Sequence, residues 1–442
     1  MTMAFRHHFS VIFASFFVVA CGGGSNNVTD SQNPLATADQ ILAEKAAITI
    51  VGDPAVKAAE AAVKAKWLSA AQATGGVSNE AMGYLDESVA EAAFQAALLV
   101  ASGSSSNPKA ISTIAAPHSW FGMNVPGSRV AFDNPDTIYY NLPVDAMSSY
   151  TISGKLQSPR PVNLNFSLYS NGTTLSNIAI EQLVTDIDGN FTITADALSS
   201  SEANHIQLAP GSTSIFVRET TNDWGSERLA SLSINRNATV QATVKTTAQQ
   251  VAAVVDFLQS LSTYFLTYNS LAYAQPANTL PAVTMGGTGG RLVTQAATYS
   301  AFQLSDDEAL VVTVNLGGAK YFTAPAYNRW EITTDYIDHT QSLNNTQALP
   351  NPDGTITFVV SPSDPGVYNW VDTVGMHQGF INLRWQALPT TAAAVRPSAT
   401  MKLVKVADLK TILPTTMKYV TAAERKAQLT ARAASYARRY MQ

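Results

Sequence analysis

The sequence predicts a mainly β protein with added helices, an α+β chain in which two antiparallel β-rich lobes are framed by helical segments. Two regions, 108–245 and 291–406, hold period-two runs of apolar and polar residues broken by Gly, Pro, Asn and Asp. A helix-patterned stretch within 246–290 separates them, and an Ala-, Glu- and Lys-rich stretch precedes the first. The 442 residues are 46% hydrophobic and only 13% charged, enough to bury more than one core.

Taken in order, the chain opens with Arg6, His7 and His8 before a short apolar run that ends Val18-Val19-Ala20-Cys21. That run is too short to span a bilayer and ends in small residues, so residues 1–20 are expected to be a signal peptide. Its end resembles a bacterial lipobox, which makes Cys21 the expected lipidation site and the membrane an expected partner. Gly22, where an Asp would signal inner-membrane retention, resembles lipoproteins sorted to the outer membrane of a Gram-negative cell. Cys21 is the sole cysteine, so the lipidated chain has no thiol for a disulfide and its fold must rest on core packing. Residues 21–36, rich in Gly, Ser, Asn and Thr, read as a flexible tether.

Residues 37–107 carry helical spacing, with Pro54 expected to open a second helix because proline suits the first turn. Within 108–245 the clearest strand is 162–169. There Val162, Leu164, Phe166 and Leu168 alternate with Asn163, Asn165, Ser167 and Tyr169, predicting one core face and one wet face. Asp186, Asp188, Gly189 and Asn190 read as a hairpin turn, since the other ligand positions of a calcium loop are missing. In 246–290, Val251, Val255, Leu258, Leu261, Phe265 and Tyr268 form one apolar stripe. The interleaved Gln, Ser, Thr and Asn favour a buried inter-domain helix over a membrane span, followed by a Pro- and Gly-rich loop.

The second region, 291–406, has buried-strand patterns at 310–316 and 355–361. After Gly379, Ile381, Leu383 and Trp385 alternate with Phe380, Asn382 and Arg384, so Arg384 points away from the Trp385 face. Residues 407–442 form a basic tail with a helix at about 422–440. From Arg396 onward ten Lys or Arg stand against Asp408 and Glu424, and this tail is expected to dock on the acidic body of its own chain.

A net charge of -5 gives no electrostatic case for a nucleic-acid partner. Beyond the signal region His118, His205, His339 and His377 are the only histidines, and none forms a close ligand pair, so neither a metal nor another cofactor is expected. The GGTGG run lacks the Lys of a phosphate loop, and no Gly-x-Ser-x-Gly elbow occurs.

Four clusters combine carboxylates with aromatic rings: FDNPDTIYY, VRETTNDWGSER, RWEITTDYIDH and DPGVYNWVDTVGMHQGFINLRW. Rings stack on flat ligands while acids and guanidinium groups exchange hydrogen bonds with hydroxyls, so a carbohydrate or other ring-bearing small molecule suits them. Asp372 and His377 are catalytic candidates, because a carboxylate can orient an imidazole, and Asp136 is a third as acid or base. The ligand-binding candidates are Asp133, Asn134, Tyr139, Arg218, Asp223, Trp224, Glu227, Trp330, Asp335, Asn369, Trp370 and Arg384. Two other readings stand beside this one: a non-catalytic module for a hydrophobic or sterol-like ligand, and an assembly lipoprotein whose basic C-terminal helix docks a partner. Oligomeric state is not legible in the sequence.

At NPDTIYY, VRETTNDWGSE, NRWEITTDY and DPGVYNWVDTVGMHQGFINLRW the chain resembles the bacterial family called domain of unknown function 1214, often accompanied by domain of unknown function 1254. The matching pieces fall within 108–385. Tyr368 stands where that family commonly has Pro before the Asn-Trp pair. The resemblance implies antiparallel β-sandwich lobes similar to jelly rolls, with some likeness to a glycan-releasing amidase.

Overall fold

The computed structural model describes residues 33–170, 173–238, 245–286, 292–390 and 395–440. The signal peptide, Cys21 and most of the tether lie outside the described residues. Three helices come first: α1 (Ala38–Ile50), α2 (Pro54–Ala73) and α3 (Asn79–Ala101). The side chains of Thr37, Asp53 and Ser78 accept backbone N–H groups of the three first turns, and Pro54 does open α2.

The first lobe is a sandwich of two sheets. Its strands are β1 (Ile111–Ser112), β2 (Thr137–Pro143), β3 (Tyr150–Lys155), β4 (Asn163–Ser170), β5 (Thr173–Ala179), β6 (Asn190–Asp196), β7 (His205–Gln207), β8 (Ser212–Thr220) and β9 (Ser231–Arg236). They form a five-stranded sheet, β1-β2-β8-β4-β5, and a four-stranded sheet, β7-β6-β3-β9. Leu164, Phe166, Leu168, Ile215 and Val217 point between the sheets, where they share a core with the helices.

Helix α4 (Thr247–Ala272) follows, opened by a capping box between Thr246 and Gln249. It packs against α2 and α3, whose core it shares with the first lobe, and its C-terminal end meets the second lobe, where Ala272 packs with Ala301, Tyr327 and Phe380. Trp67 stacks on Phe265 at 4.5 Å and donates to Ser262 at 3.0 Å, so the polar residues of the stripe are themselves used in helix packing. Among the described residues no helix is long and apolar enough to cross a membrane.

The second lobe contains β10 (Thr284–Met285), β11 (Ala296–Gln303), β12 (Glu308–Asn315), β13 (Tyr321–Tyr327), β14 (Ser342–Asn344), β15 (Ile356–Ser361), β16 (Trp370–Asp372), β17 (Gln378–Gln386) and β18 (Ser398–Lys405). Its sheets run β10-β11-β17-β13-β14 and β16-β15-β12-β18. This is the first lobe repeated strand for strand, down to the one parallel pair in each, β6 with β7 and β15 with β16. Phe322, Phe358, Ile381, Leu383 and Trp385 fill its core. The last helix, α5 (Ala422–Ala437), ends in a 3-10 turn at Arg438–Tyr440.

One expectation about β4 is corrected. Asn163, Asn165 and Ser167 are at most 2% exposed. Their face is not wet, because the five-stranded sheet of the second lobe turns its own polar face toward it: Thr220 of β8 bonds Gln386 of β17 at 3.2 Å.

Candidate functional site

The junction is built on the segment carrying Asp133, Asn134 and Asp136, which enters β2. Ala131, Phe132 and Glu331 all adopt left-handed backbone, with φ of 47°, 60° and 66°. That geometry lets two loops meet, with the Phe132 N–H donating to the Glu331 carbonyl at 2.7 Å. Asp133 then accepts from the Thr333 N–H at 2.9 Å and its hydroxyl at 2.6 Å. Asp136 accepts from Tyr321 at 2.6 Å, from the Trp224 indole at 2.7 Å and from Asn344 at 3.2 Å. Asn134 donates to the same Tyr321 hydroxyl at 3.0 Å. Burial pushes the Asp136 carboxyl upward; the Tyr321 bond and the charges of Arg439 and Arg432 oppose that only in part.

The basic tail closes this junction. Arg432 and Arg439 lie over Trp224, at 4.5 and 5.3 Å from the ring centroid. Arg439 donates to the Pro135 carbonyl at 2.7 Å and Thr221 at 2.9 Å; Arg432 donates to the Tyr336 carbonyl at 2.6 Å and Ser342 at 3.0 Å. One turn set further back, Arg425 pairs with Asp364 at 2.9 Å. The positions 425, 432 and 439 are seven apart, so a single face of the helix and its 3-10 end carries all three. The tail does dock on its own chain, though mostly through carbonyl and hydroxyl acceptors rather than acids.

The predicted catalytic residues are separated. Asp372 does hold an imidazole, but that of His339, at 2.7 Å. The Asp372 N–H reaches the Thr340 carbonyl at 3.1 Å, which brings the end of β16 beside the loop carrying His339. His377 lies beyond a tight turn at Gly375, φ 74°, and sits between Glu80 at 2.7 Å and Asp306 at 2.8 Å. Asp136 is 1% exposed and saturated by its three donors, so it braces the junction rather than facing a ligand.

Several binding candidates have architectural duties. Asp223 caps its own turn through the Gly225 N–H and Ser226. Glu227 accepts the backbone N–H groups of Val162 and Asn222. Trp330 is core, donating to the Ala81 carbonyl at 2.6 Å. Asn369 ties down the loop at Leu349, Trp370 donates to the Ser361 carbonyl, and Asp335 caps a turn while standing 3.8 Å from His339. Among the described residues no cluster of His, Cys, Asp and Glu is suited to a metal ion.

Tyr139, Arg218 and Arg384 remain, and the structure brings them together in the seam between the two five-stranded sheets. Tyr139 stacks on Phe216 at 5.7 Å; Arg218 lies 4.8 Å from the Phe216 centroid and donates to the Tyr169 hydroxyl at 2.7 Å. Across the seam stand Arg384, Asn382 and Thr323. Phe216, Arg218, Tyr169 and Tyr299 are half-buried, so the seam opens to solvent along one edge, where Lys320 and Glu181 bridge the lobes at 2.7 Å. Deeper in, Asn163 Nδ2, Asn382 Oδ1 and Thr323 Oγ1 are buried with no hydrogen-bond partner among the described residues. Buried polar atoms without partners are uncommon, and here Asn163 lies on the first lobe's sheet while Asn382 and Thr323 lie on the second's. Sequence reasoning placed His339 in the RWEITTDYIDH cluster without making it a candidate, and missed Tyr321, Phe216 and Thr323; strand alternation, read in both lobes, marks Phe216 and Thr323 as outward-facing.

No protein-family model matches the chain, so its resemblance to domain of unknown function 1214 rests on the four motifs; no curated protein matches either. Among solved structures the chain is similar to an uncharacterised protein from Burkholderia cenocepacia, at 22% identity and a TM-score of 0.66 over 82% of this chain and all of that one. It is also similar to a protein from Vibrio parahaemolyticus, at 12% identity and a TM-score of 0.38 over 61% of this chain and 90% of that one. The Burkholderia likeness establishes a shared fold.

Proposed function

We propose that this is a lipid-anchored envelope protein that binds a carbohydrate or similar ring-bearing ligand in the seam between its lobes. The supporting observation is the set of Tyr139, Phe216, Arg218 and Arg384 in a seam that also holds buried amide and hydroxyl groups without partners among the described residues. Rings offer stacking surfaces and the amides offer hydrogen bonds to hydroxyls. The resemblance to domain of unknown function 1214 belongs to the same reading. Glycan-array binding by the full chain tests it: binding that falls when Phe216 is changed to Ala supports the seam, and an array without signal removes it. For the anchor, Cys21→Ser should release the protein from membranes and abolish palmitate labelling.

A second reading, hydrolysis, draws on the Asp372–His339 pair, whose imidazole is part-exposed and oriented by a buried acid. Product analysis on array-positive glycans, comparing the parent with His339→Ala and Asp372→Asn, tests it. Equal turnover in all three, or none in the parent, sinks it.

A further inference from the structure

The two lobes share one strand order, and the central strands β8 and β17 occupy the same place in each. Each lies between its β2 or β11 counterpart and its β4 or β13 counterpart. Aligning Ile215, Val217 and Glu219 with Ile381, Leu383 and Trp385, the inward set of each strand, puts Thr220 opposite Gln386 in the alignment. Those two residues are bonded to each other across the seam at 3.2 Å. Contact between equivalent residues is the mark of an isologous, two-fold-like interface. The same alignment pairs Arg218 with Arg384. The internal repeat therefore delivers one arginine from each lobe to the same seam, where the charges of both oppose the rise that burial imposes on the Tyr139 phenol.

Arg384 is 9% exposed and donates to the Phe132 carbonyl. Among the described residues no carboxylate lies within ion-pair distance of it. Phenols surround it instead, those of Tyr139, Tyr321 and Tyr327, while Asp133 is already engaged by Thr333. A largely buried guanidinium that feels Asp133 only as a neighbouring charge, without an ion pair, is more stable when an anion completes its surroundings, and its planar fork matches a carboxylate in two-point contact.

We propose that the seam ligand is a ring carrying a carboxylate, clasped between Arg384 and Arg218 with the ring against Phe216. This rests on the seam being a ligand site, as proposed above, and adds the charge of what enters it. Asn382, Thr323 and Asn163 then meet ring hydroxyls rather than the acid.

Saturation-transfer NMR on the full chain with matched sugars tests it: D-glucuronate against D-glucose, D-galacturonate against D-galactose, and N-acetylmuramate against N-acetylglucosamine. At least one acid should bind about tenfold more tightly than its neutral partner, since charge-assisted bonds of this kind carry that difference. Arg384→Gln should erase the preference and Arg384→Lys should keep part of it. Arg218→Gln, at the part-exposed edge, gives the same readout should Arg384→Gln fail to fold. Equal binding of acid and neutral members overturns the carboxylate and leaves the seam reading standing. Binding of no member, with the array also silent, overturns both.

Discussion

Asp136 of the first lobe and Tyr321 of the second share a hydrogen bond of 2.6 Å, and neither residue is more than 1% exposed. The contact joins two sandwiches through a pair that water does not reach. Tyr321→Phe should therefore lower stability by about 1–3 kcal/mol, because it strips a donor from a buried acid. Urea denaturation measures this, and Asp136→Asn in the same background should recover part of the loss. An unchanged midpoint in Tyr321→Phe would show that the bond does not hold the lobes.

Carbonyls and hydroxyls accept most of the bonds from Arg432 and Arg439, so the docking of this end of the tail should be insensitive to salt. Burial pulls the Arg432 guanidinium down to about 10, against the opposing charge of Asp136. Arg432→Met should cost about 2 kcal/mol or more and shift Trp224 emission, while 1 M salt should leave the parent's emission unchanged. Loss of tail protection from protease in the parent at high salt would contradict this.

Glu219 lies inside the first sandwich, where among the described residues it is bonded only to the Ala230 N–H at 2.5 Å, and burial pushes its carboxyl up to about 8. The folded state keeps a proton that the unfolded chain releases above its ordinary value of about 4.3. Its contribution to stability therefore declines as pH rises between those values, by about 1.4 kcal/mol per pH unit for one proton. Glu219→Gln should flatten that part of the profile. Parallel curves for parent and variant would assign the titration elsewhere.

The His339 imidazole is raised by its bond to Asp372, with burial opposing and the charges of Asp372, Asp335 and Asp338 assisting. A raised histidine adds stability that is full below its unfolded value of about 6.5 and fades as pH climbs through the folded value. Proton NMR titration should place His339 above an ordinary histidine, and Asp372→Asn should bring it down. His377, pulled down by burial but raised on balance by Asp306 and Glu80, should not respond to that change.

Glu331 has both carboxyl oxygens buried without a hydrogen-bond partner among the described residues, and burial drives its pKa far up despite Arg329. Glu331→Met keeps the length and removes the unmet groups, so it should raise stability by about 1–3 kcal/mol. A lower melting temperature would mean that the acid has a bonded partner in solution.

Much of the architecture was legible because alternation and helix spacing are local. The inward residues of 162–169 and of 380–385 could be read one by one, and the inward set Ile381, Leu383 and Trp385 packs as its pattern demands. What was not legible is long-range. Nothing near Asn163 signals that a second sheet covers it, and Asp372 gives no hint that its imidazole is His339 rather than the nearer-in-sequence His377. The repeat of the lobes is also hidden, since it survives in strand order while Glu219 and Trp385 fill matching core positions with unlike chemistry. The arginines at 425, 432 and 439 were visible as charge, but their common face had meaning only once Trp224 stood beneath it.

Asn33 donates to the Arg439 carbonyl at 2.7 Å, joining the two ends of the described chain. That tie, and the roof over Trp224, can form only once the chain through Arg439 has left the ribosome. Any product cut short before Arg432 would present an uncovered indole and a half-roofed junction, a ready target for quality-control proteases.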